Sequence, residues 1–144
     1  RSVVTDFPIG HPVILIDSAS LVTEEDGLAI VITGSHGGLL GGRPETAIKY
    51  PVFAALYNDA GIGCDQAGIS RLPALDARNI AAATVAADSA RIGDARSSWD
   101  TGRISHVNKT AWSLNGRPGQ STQELANAIS RSAQTMLQES HKAT

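Results

Sequence analysis

The feature that most constrains the fold is a series of short apolar runs in which polar residues do not alternate with apolar ones. Residues 13–16 are VILI, residues 28–33 are LAIVIT, residues 52–57 are VFAALY and residues 80–86 are IAAATVA. A strand with one face in water alternates apolar and polar residues, whereas a strand buried on both faces is apolar throughout. The four runs therefore predict strands in the interior of a sheet that is covered on both faces.

Two segments between and after these runs have a helical pattern. Residues 65–78 place apolar side chains at helical spacing, and Pro73 inside that segment predicts a kink or a break. A shorter helix is predicted over residues 106–114, and Asn115-Gly116 supplies the residues that commonly end a helix. Helices are therefore expected to alternate with the buried strands.

The C-terminal segment carries the strongest helical signal. Ser121 and Glu124 have the spacing of a capping box, in which each side chain accepts a hydrogen bond from the other residue's backbone N–H. An apolar stripe at helical spacing then runs from Leu125 to Leu137. The pattern predicts a long helix that begins next to Ser121 and packs one face on the sheet.

Alternation of buried strands with helices predicts an α/β fold. We expect a three-layer sandwich with a mainly parallel central sheet of about five strands flanked by helices. The chain has 144 residues, and domains commonly contain about 100–150 residues. A single α/β domain over residues 1–144 is therefore predicted.

The charge balance bears on possible partners. Twelve Lys and Arg residues stand against fourteen Asp and Glu residues, for a net charge of −2. There is no basic excess to neutralise phosphates, so a nucleic-acid partner is not predicted. Charged residues are 18% of the chain, below the usual level of about 25%. This deficit favours a surface partly covered by another chain, in a homo-oligomer or as a subunit of a larger assembly.

Cysteine usage and hydropathy bear on location. Cys64 is the single cysteine, which excludes an internal disulfide and a cysteine-rich zinc site and favours a reducing compartment. No run of about 18 apolar residues exists, so no membrane span is predicted. The first residues also lack the apolar segment of a signal peptide. We therefore expect a cytoplasmic protein.

Three loops that follow predicted strands combine glycine with polar residues. They occupy residues 34–38, 58–65 and 88–98. Ligands of open parallel sheets bind beyond the carboxyl ends of the strands, and glycine lets backbone N–H groups approach a ligand oxygen. None of the loops matches a phosphate-binding loop or a dinucleotide-binding motif, so no cofactor is predicted. The alternative is that these glycines only form tight turns.

His36 is the leading catalytic candidate because it follows a buried strand inside a glycine-rich loop. An imidazole titrates near neutral pH and can transfer a proton in either direction. Ser35 is its neighbour, and Asp59, after the next strand, is the expected partner that orients the ring. The alternative is a histidine that only binds its own loop. A metal on His36 with Asp59 or Asp94 lacks a recognised ligand spacing, and no metal is predicted.

The same loops supply candidate substrate-binding groups. Arginine binds carboxylates through paired hydrogen bonds, although Asp88, Asp94 and Asp100 are also close enough in sequence to pair with the arginines. The candidates are the backbone or side chains of Gly37, Gly38, Arg43, Asn58, Gly61, Ser89, Arg91, Asp94 and Arg96.

These features together predict a small α/β enzyme that acts on a small polar, anionic metabolite by hydrolysis or acid/base chemistry, as a hydrolase or a lyase. Two alternatives remain open at this point. The chain is a non-catalytic subunit of a larger oligomeric enzyme, or it is a module that binds a small ligand. A turnover screen on the chain alone distinguishes an enzyme from a non-catalytic subunit. Ligand-dependent melting without turnover would identify a binding module.

Overall fold

A computed structural model describes residues 2–4, 10–38, 48, 50–61 and 68–142, with side chains up to residue 135. The strands are β1 (Ser2–Val4), β2 (Val13–Ile16), β3 (Ile30–His36), β4 (Ala54–Asn58), β5 (Ala81–Val85) and β6 (Ile104–Val107). The α-helices are α1 (Arg71–Asp76), α2 (Ala95–Thr101), α3 (Lys109–Ser113) and α4 (Thr122–Lys142). Short 3-10 helices at Ala19–Leu21 and Glu24–Asp26 connect β2 to β3. No helix within these ranges combines the length and apolar character needed to cross a membrane.

The strands form one sheet whose spatial order is the same as their order along the chain. Strands β2 to β5 are parallel, whereas β1 is antiparallel to β2 and β6 is antiparallel to β5. The α/β class is therefore confirmed. The expected three-layer sandwich with a mainly parallel sheet of about five strands is not confirmed: the described sheet is mixed, has six strands and ends in an antiparallel pair at each edge.

The register of the parallel strands explains why the apolar runs are continuous. Ile14, Val31, Ala55 and Ala82 line up across β2 to β5 and lie on one face of the sheet. Successive side chains of a strand point to opposite faces, so the residue after each of these lies on the other face. Both faces are packed, so most residues of these strands are apolar, and the buried polar side chains of Thr33, Asn58 and Thr84 each form a hydrogen bond.

One face of the sheet packs against helices α2, α3 and α4, and the other packs against helix α1 and the connection between β2 and β3. The first cluster brings Trp99 of α2, Ala111 of α3 and Leu125 of α4 onto the sheet. The second cluster brings Leu72 of α1 and Val22 of the β2–β3 connection onto the opposite face. Each buried aliphatic or aromatic side chain of this kind contributes about 1.5–3 kcal/mol to folding.

The predicted helices are found with altered bounds. Helix α1 begins at Arg71, which places Pro73 in the first turn, where the missing N–H removes no hydrogen bond of the helix. Residues 65–67 of the predicted helix lie outside the described residues. The helix predicted over 106–114 starts later, as α3, because residues 104–107 pair with β5.

The capping box before α4 is confirmed. The backbone N–H of Ser121 donates to Glu124 Oε1 at 2.9 Å, and the N–H of Glu124 donates to Ser121 Oγ at 3.1 Å. Helix α2, in contrast, is absent from the sequence prediction. Its N-cap is Asp94, whose side chain accepts a hydrogen bond from the N–H of Ser97.

Because β2 to β5 are parallel, their carboxyl ends meet at one border of the sheet, here called the carboxyl edge. It consists of the residues that follow β2 to β5 and the start of α2. The opposite border, where β2 to β5 begin, is called the amino edge. These two borders hold the sites considered below.

Candidate functional site

The loops that follow β3, β4 and β5 are joined to one another by backbone hydrogen bonds. The N–H of Gly93 donates to the carbonyl of Gly34 at 2.7 Å, and the N–H of Gly37 donates to the carbonyl of Asn58 at 2.8 Å. The described parts of the three glycine-containing loops therefore form one continuous surface at the carboxyl edge. This is the arrangement that ligand sites of parallel sheets use.

His36 is the last residue of β3, and its side chain is exposed. The backbone N–H of Gly38 donates a 3.1 Å hydrogen bond to His36 Nδ1. A nitrogen that accepts a hydrogen bond carries no hydrogen, so the neutral ring has its hydrogen on Nε2. The Gly38 N–H thus selects the tautomer of His36 and leaves Nε2 as the atom available to a ligand.

Ser35 lies one residue earlier and is half-buried. Its Oγ accepts a 2.8 Å hydrogen bond from the backbone N–H of Ala19, and its own N–H donates to Thr33 Oγ1 at 3.2 Å. The hydroxyl hydrogen remains able to donate to a ligand. The contact with Ala19 also connects the end of β3 to the segment that follows β2.

Asp59 is 5% exposed, and its carboxylate contacts backbone rather than His36. Asp59 Oδ1 accepts hydrogen bonds from the N–H groups of Gly61 at 2.9 Å and Ala87 at 3.1 Å. Among the described residues no hydrogen bond joins Asp59 to His36. In this structure Asp59 therefore connects the loop after β4 to the loop after β5.

Asn58 connects the same loops. Its side chain is completely buried, donates from Nδ2 to the carbonyl of Ala90 at 3.2 Å and accepts at Oδ1 from the N–H of Ala60 at 2.8 Å. Both ends of the amide are used, so Asn58 has one remaining donor hydrogen and one acceptor lone pair. Its geometry supports a positioning role more directly than contact with substrate.

The glycines predicted to bind substrate use their N–H groups within the protein. Gly37 donates to Asn58, Gly38 donates to the His36 ring, and Gly61 donates to Asp59. A side chain at Gly37 would overlap the carbonyl oxygen of Gly68. Close backbone packing therefore accounts for glycine at position 37, which is a different reason from the tight turn that the sequence left as an alternative.

Most polar groups of the loop after β5 also have partners. Ser89 Oγ donates to the carbonyl of Ala86 at 2.7 Å and accepts from the N–H of Arg103 at 2.9 Å. Asp94, as noted, accepts from Ser97 at the start of α2. Neither residue therefore needs a substrate to satisfy its side chain.

The arginines in this loop and in the residues that follow it differ in their ion pairs. Arg96 lies 3.8 Å from Asp100, and the corresponding distance between Arg103 and Asp88 is 3.7 Å; both pairs are exposed. Arg91 is exposed and forms no ion pair with any described residue. The pairs that sequence proximity indicated thus form for Arg96 and Arg103 but not for Arg91. Arg43 and Cys64 lie outside the described residues.

Two residues at this edge were not identified from sequence. Asp17 follows β2, is exposed, and accepts at Oδ1 from the N–H of Ala95 at 3.0 Å, while its carbonyl accepts from Gly34. Its position directly after an apolar run is the same signal that identified His36 and Asp59. The same reasoning applied to the first apolar run, residues 13–16, would have identified Asp17.

Arg71 is the second such residue. It is 5% exposed, donates from Nε to the carbonyl of Gly38 at 2.9 Å and from its backbone N–H to Gly37 at 2.7 Å. Its guanidinium lies 4.7 Å from the centre of the buried Tyr57 ring. Burial raises the pKa of Tyr57, and the positive charge of Arg71 opposes that rise. The loop that holds His36 therefore contacts a buried cation, the guanidinium of Arg71, through the carbonyl of Gly38.

The described residues contain no group of three His, Cys, Asp or Glu side chains arranged to hold a metal ion. Comparisons with protein-family models, with curated proteins and with solved structures find no match to this chain. The carboxyl-edge surface around His36 therefore has to be interpreted from its own geometry.

Proposed function

We propose that the carboxyl-edge surface around His36 binds a small polar, anionic metabolite and acts on it by hydrolysis or another acid/base reaction. The observation that carries this proposal is the exposed His36 ring whose tautomer is selected by the Gly38 N–H. Selecting one tautomer matters little for a histidine that only faces water. It matters for a ring that must present a hydrogen to a substrate atom.

The chemistry follows from the tautomer. With Nδ1 occupied, neutral His36 presents Nε2–H as a hydrogen-bond donor. A neutral imidazole in this state stabilises negative charge that develops on a substrate oxygen, and if it passes the Nε2 hydrogen to that oxygen, the imidazolate that is left takes a proton back from water. His36 is therefore proposed to polarise a carbonyl or ester oxygen and to supply a proton. Of the three catalytic residues predicted from the sequence, His36 and Ser35 are still proposed to be catalytic, whereas Asp59 is proposed to position the loops.

The preference for an anion rests on Arg91. This exposed residue belongs to the loop whose Gly93 contacts Gly34, and no described carboxylate neutralises it. A guanidinium without an internal partner is available to a carboxylate or phosphate group of a ligand. Arg96 is a matched comparison, because it belongs to the same part of the chain and already has Asp100.

The test is a turnover screen of the chain alone on small carboxylates, carboxylic esters and phosphate monoesters. His36→Gln should lower turnover by about a hundredfold or more, the usual effect of losing a general acid or base. Because His36 is exposed, the melting temperature should not change. Arg91→Gln should mainly raise KM, and Arg96→Gln should have little effect. Normal turnover in His36→Gln would overturn the catalytic proposal.

A non-catalytic subunit is the second candidate, and exposed apolar side chains favour it. Leu21, Leu28 and Ile92 are 52%, 74% and 51% exposed. Such side chains are common on monomers, but a neighbouring chain would also cover them. We propose a homo-oligomer or a larger assembly, and light scattering at micromolar concentration tests it. A monomeric mass, together with turnover by the isolated chain, would exclude this candidate.

A further inference from the structure

Away from the carboxyl edge, a polar contact joins the amino edge of the sheet to helix α4. His11 lies just before β2, and its ring stacks on Phe53, with 3.8 Å between ring centres and 12° between ring planes. His11 Nδ1 lies 2.7 Å from Ser130 Oγ on α4. The residues are 119 positions apart, so this contact connects distant parts of the chain.

The burial of Ser130 decides which group donates. Ser130 is completely buried, and among the described residues its side chain has His11 as its hydrogen-bond partner. A buried hydroxyl that did not donate would leave its hydrogen without an acceptor. Ser130 therefore donates to Nδ1, and neutral His11 carries its hydrogen on Nε2.

Protonation of His11 is incompatible with that bond. The imidazolium carries hydrogens on both nitrogens, so the Nδ1 hydrogen would face the Ser130 hydroxyl hydrogen. The hydroxyl would then have to turn and lose its acceptor inside the protein. Burial of the ring also lowers the pKa of His11.

Within the described part of the chain, the residues around His11 do not supply a charge that favours the imidazolium. Phe53 is apolar, Ala133 and Gln134 of α4 are neutral, and the cavity beside His11 is lined by these two residues and Gly10. Arg131 is the charged residue next to Ser130 and is exposed. Tyr50, the titratable residue that the structure describes on the segment before Phe53, packs on the opposite face of the sheet. Desolvation lowers the pKa of His11, and the hydroxyl of Ser130 opposes protonation of the ring in addition.

We propose that His11 and Ser130 form a pH-sensitive clasp that holds α4 on the amino edge and weakens in mild acid. The direction follows from linkage. A histidine whose pKa falls on folding contributes stability that is present above its ordinary pKa of 6.5 and is lost as the pH falls below that value. Acidification should therefore release the part of α4 that follows Ser130 before the whole domain unfolds.

Amide hydrogen exchange of the full chain tests the clasp at roughly pH 7.5 and roughly pH 5, after correction for intrinsic exchange rates. In the unmodified chain, amides after Ser130 should exchange severalfold faster at the lower pH, relative to those of β3. His11→Gln keeps an acceptor for the Ser130 hydroxyl but does not titrate, so this acid-induced increase should disappear. His106→Gln is the matched control, because His106 Nδ1 also contacts a serine, Ser105, at 3.2 Å, and the increase should remain.

A titration of the His11 ring by NMR keeps the proposal testable if His11→Gln does not fold. Ser130→Ala removes the hydroxyl that opposes protonation, so the pKa of His11 should be higher in this variant than in the unmodified chain. Equal pKa values in the two proteins would overturn the proposal. So would equal protection of α4 at both pH values, or an acid-induced increase that persists in His11→Gln.

Discussion

The backbone N–H of Gly93 donates to the carbonyl of Gly34, and the loop after β5 consequently lies directly on the end of β3. A Cβ at Gly34 would overlap the backbone of Gly93 and Asp94, so the contact excludes any side chain at this position. The loop that carries Arg91 and the strand that carries His36 are held together here by backbone atoms alone.

Gly34→Ala should therefore be destabilising. The extra methyl group meets backbone, which cannot move aside as a flexible side chain can, and overpacking of this kind costs about 1–3 kcal/mol. Denaturant unfolding measures the change. Gly27→Ala is the control, because Gly27 has φ −57° and open space around its Cβ position. A similar loss in both variants would contradict the close-packing explanation.

Substitutions of Asp59 distinguish the two roles considered for its carboxylate. Asp59→Ala removes the acceptor of the Gly61 and Ala87 N–H groups and should cost about 1–3 kcal/mol. Asp59→Asn keeps an acceptor oxygen and should lose less stability and little turnover. If Asp59→Asn instead abolishes turnover while the melting temperature is unchanged, Asp59 orients His36 as the sequence predicts.

Asn108 should be among the most sensitive positions for stability. Its buried side chain accepts from the N–H groups of Ala82 at 3.0 Å and Ala111 at 2.9 Å, and it donates to the carbonyls of Leu72 at 3.2 Å and Ile80 at 2.9 Å. Asn108→Ala should cost about 3 kcal/mol or more, because several buried backbone groups lose their partner. Asn108→Asp should also be destabilising at neutral pH, since a carboxylate cannot donate to two carbonyls.

The control for Asn108 is Asn127→Ala on α4, a partly buried asparagine that forms no side-chain hydrogen bond with the described residues. Its free energy of unfolding should change by less than about 1 kcal/mol. Thermal or denaturant unfolding of the three variants gives the comparison. Equal losses for Asn108→Ala and Asn127→Ala would show that the hydrogen bonds of Asn108 contribute little.

The capping box gives a prediction for α4. Ser121→Ala removes the acceptor of the Glu124 N–H and should cost about 0.5–2 kcal/mol, the usual effect of losing an N-cap side chain. Glu124→Gln keeps an oxygen for the Ser121 N–H and should have a smaller effect. Denaturant unfolding checks both. A larger loss for Glu124→Gln than for Ser121→Ala would contradict this account.

The centre of the sheet was predictable because its sequence signal is strong. The runs at 13–16, 28–33, 52–57 and 80–86 correspond to strands β2 to β5, since burial on both faces strongly favours apolar residues. The edge strands were not predictable in the same way. Strand β1 has three residues, and β6 is half-buried with the polar Ser105 and His106 in its middle.

Helix α2 was missed for a different reason. Residues 88–98 contain aspartate, serine and glycine, which are typical of loops. Yet Asp94 caps the helix and Trp99 packs in the core, so tertiary contacts stabilise a segment whose local pattern is weak. Only seven residues form this helix, which is too short for a clear periodic pattern.

The sequence predicted that the loops at the strand ends meet at one edge, and hydrogen bonds join their described parts, but it could not assign the role of each group. Topology brings the loops after β3 to β5 together at one edge, and that rule needs no side-chain detail. Whether a group faces a ligand depends on which hydrogen bonds it already makes. Those of Asn58, Asp59 and Gly38 go to backbone or to His36, and no spacing in the sequence reports such partners.

The strands lie in the sheet in the same order as they occur along the chain, and this order affects how the sheet can form during biosynthesis. Each strand from β2 to β6 pairs with the strand made immediately before it, so the sheet can grow by addition at one border as the chain leaves the ribosome. No strand has to wait for a distant partner, and loop closures between paired strands stay short, which favours rapid folding. The apolar strand β5 lacks a partner on its outer side until β6 arrives, so nascent chains that stop before residue 104 should be the forms most prone to aggregation.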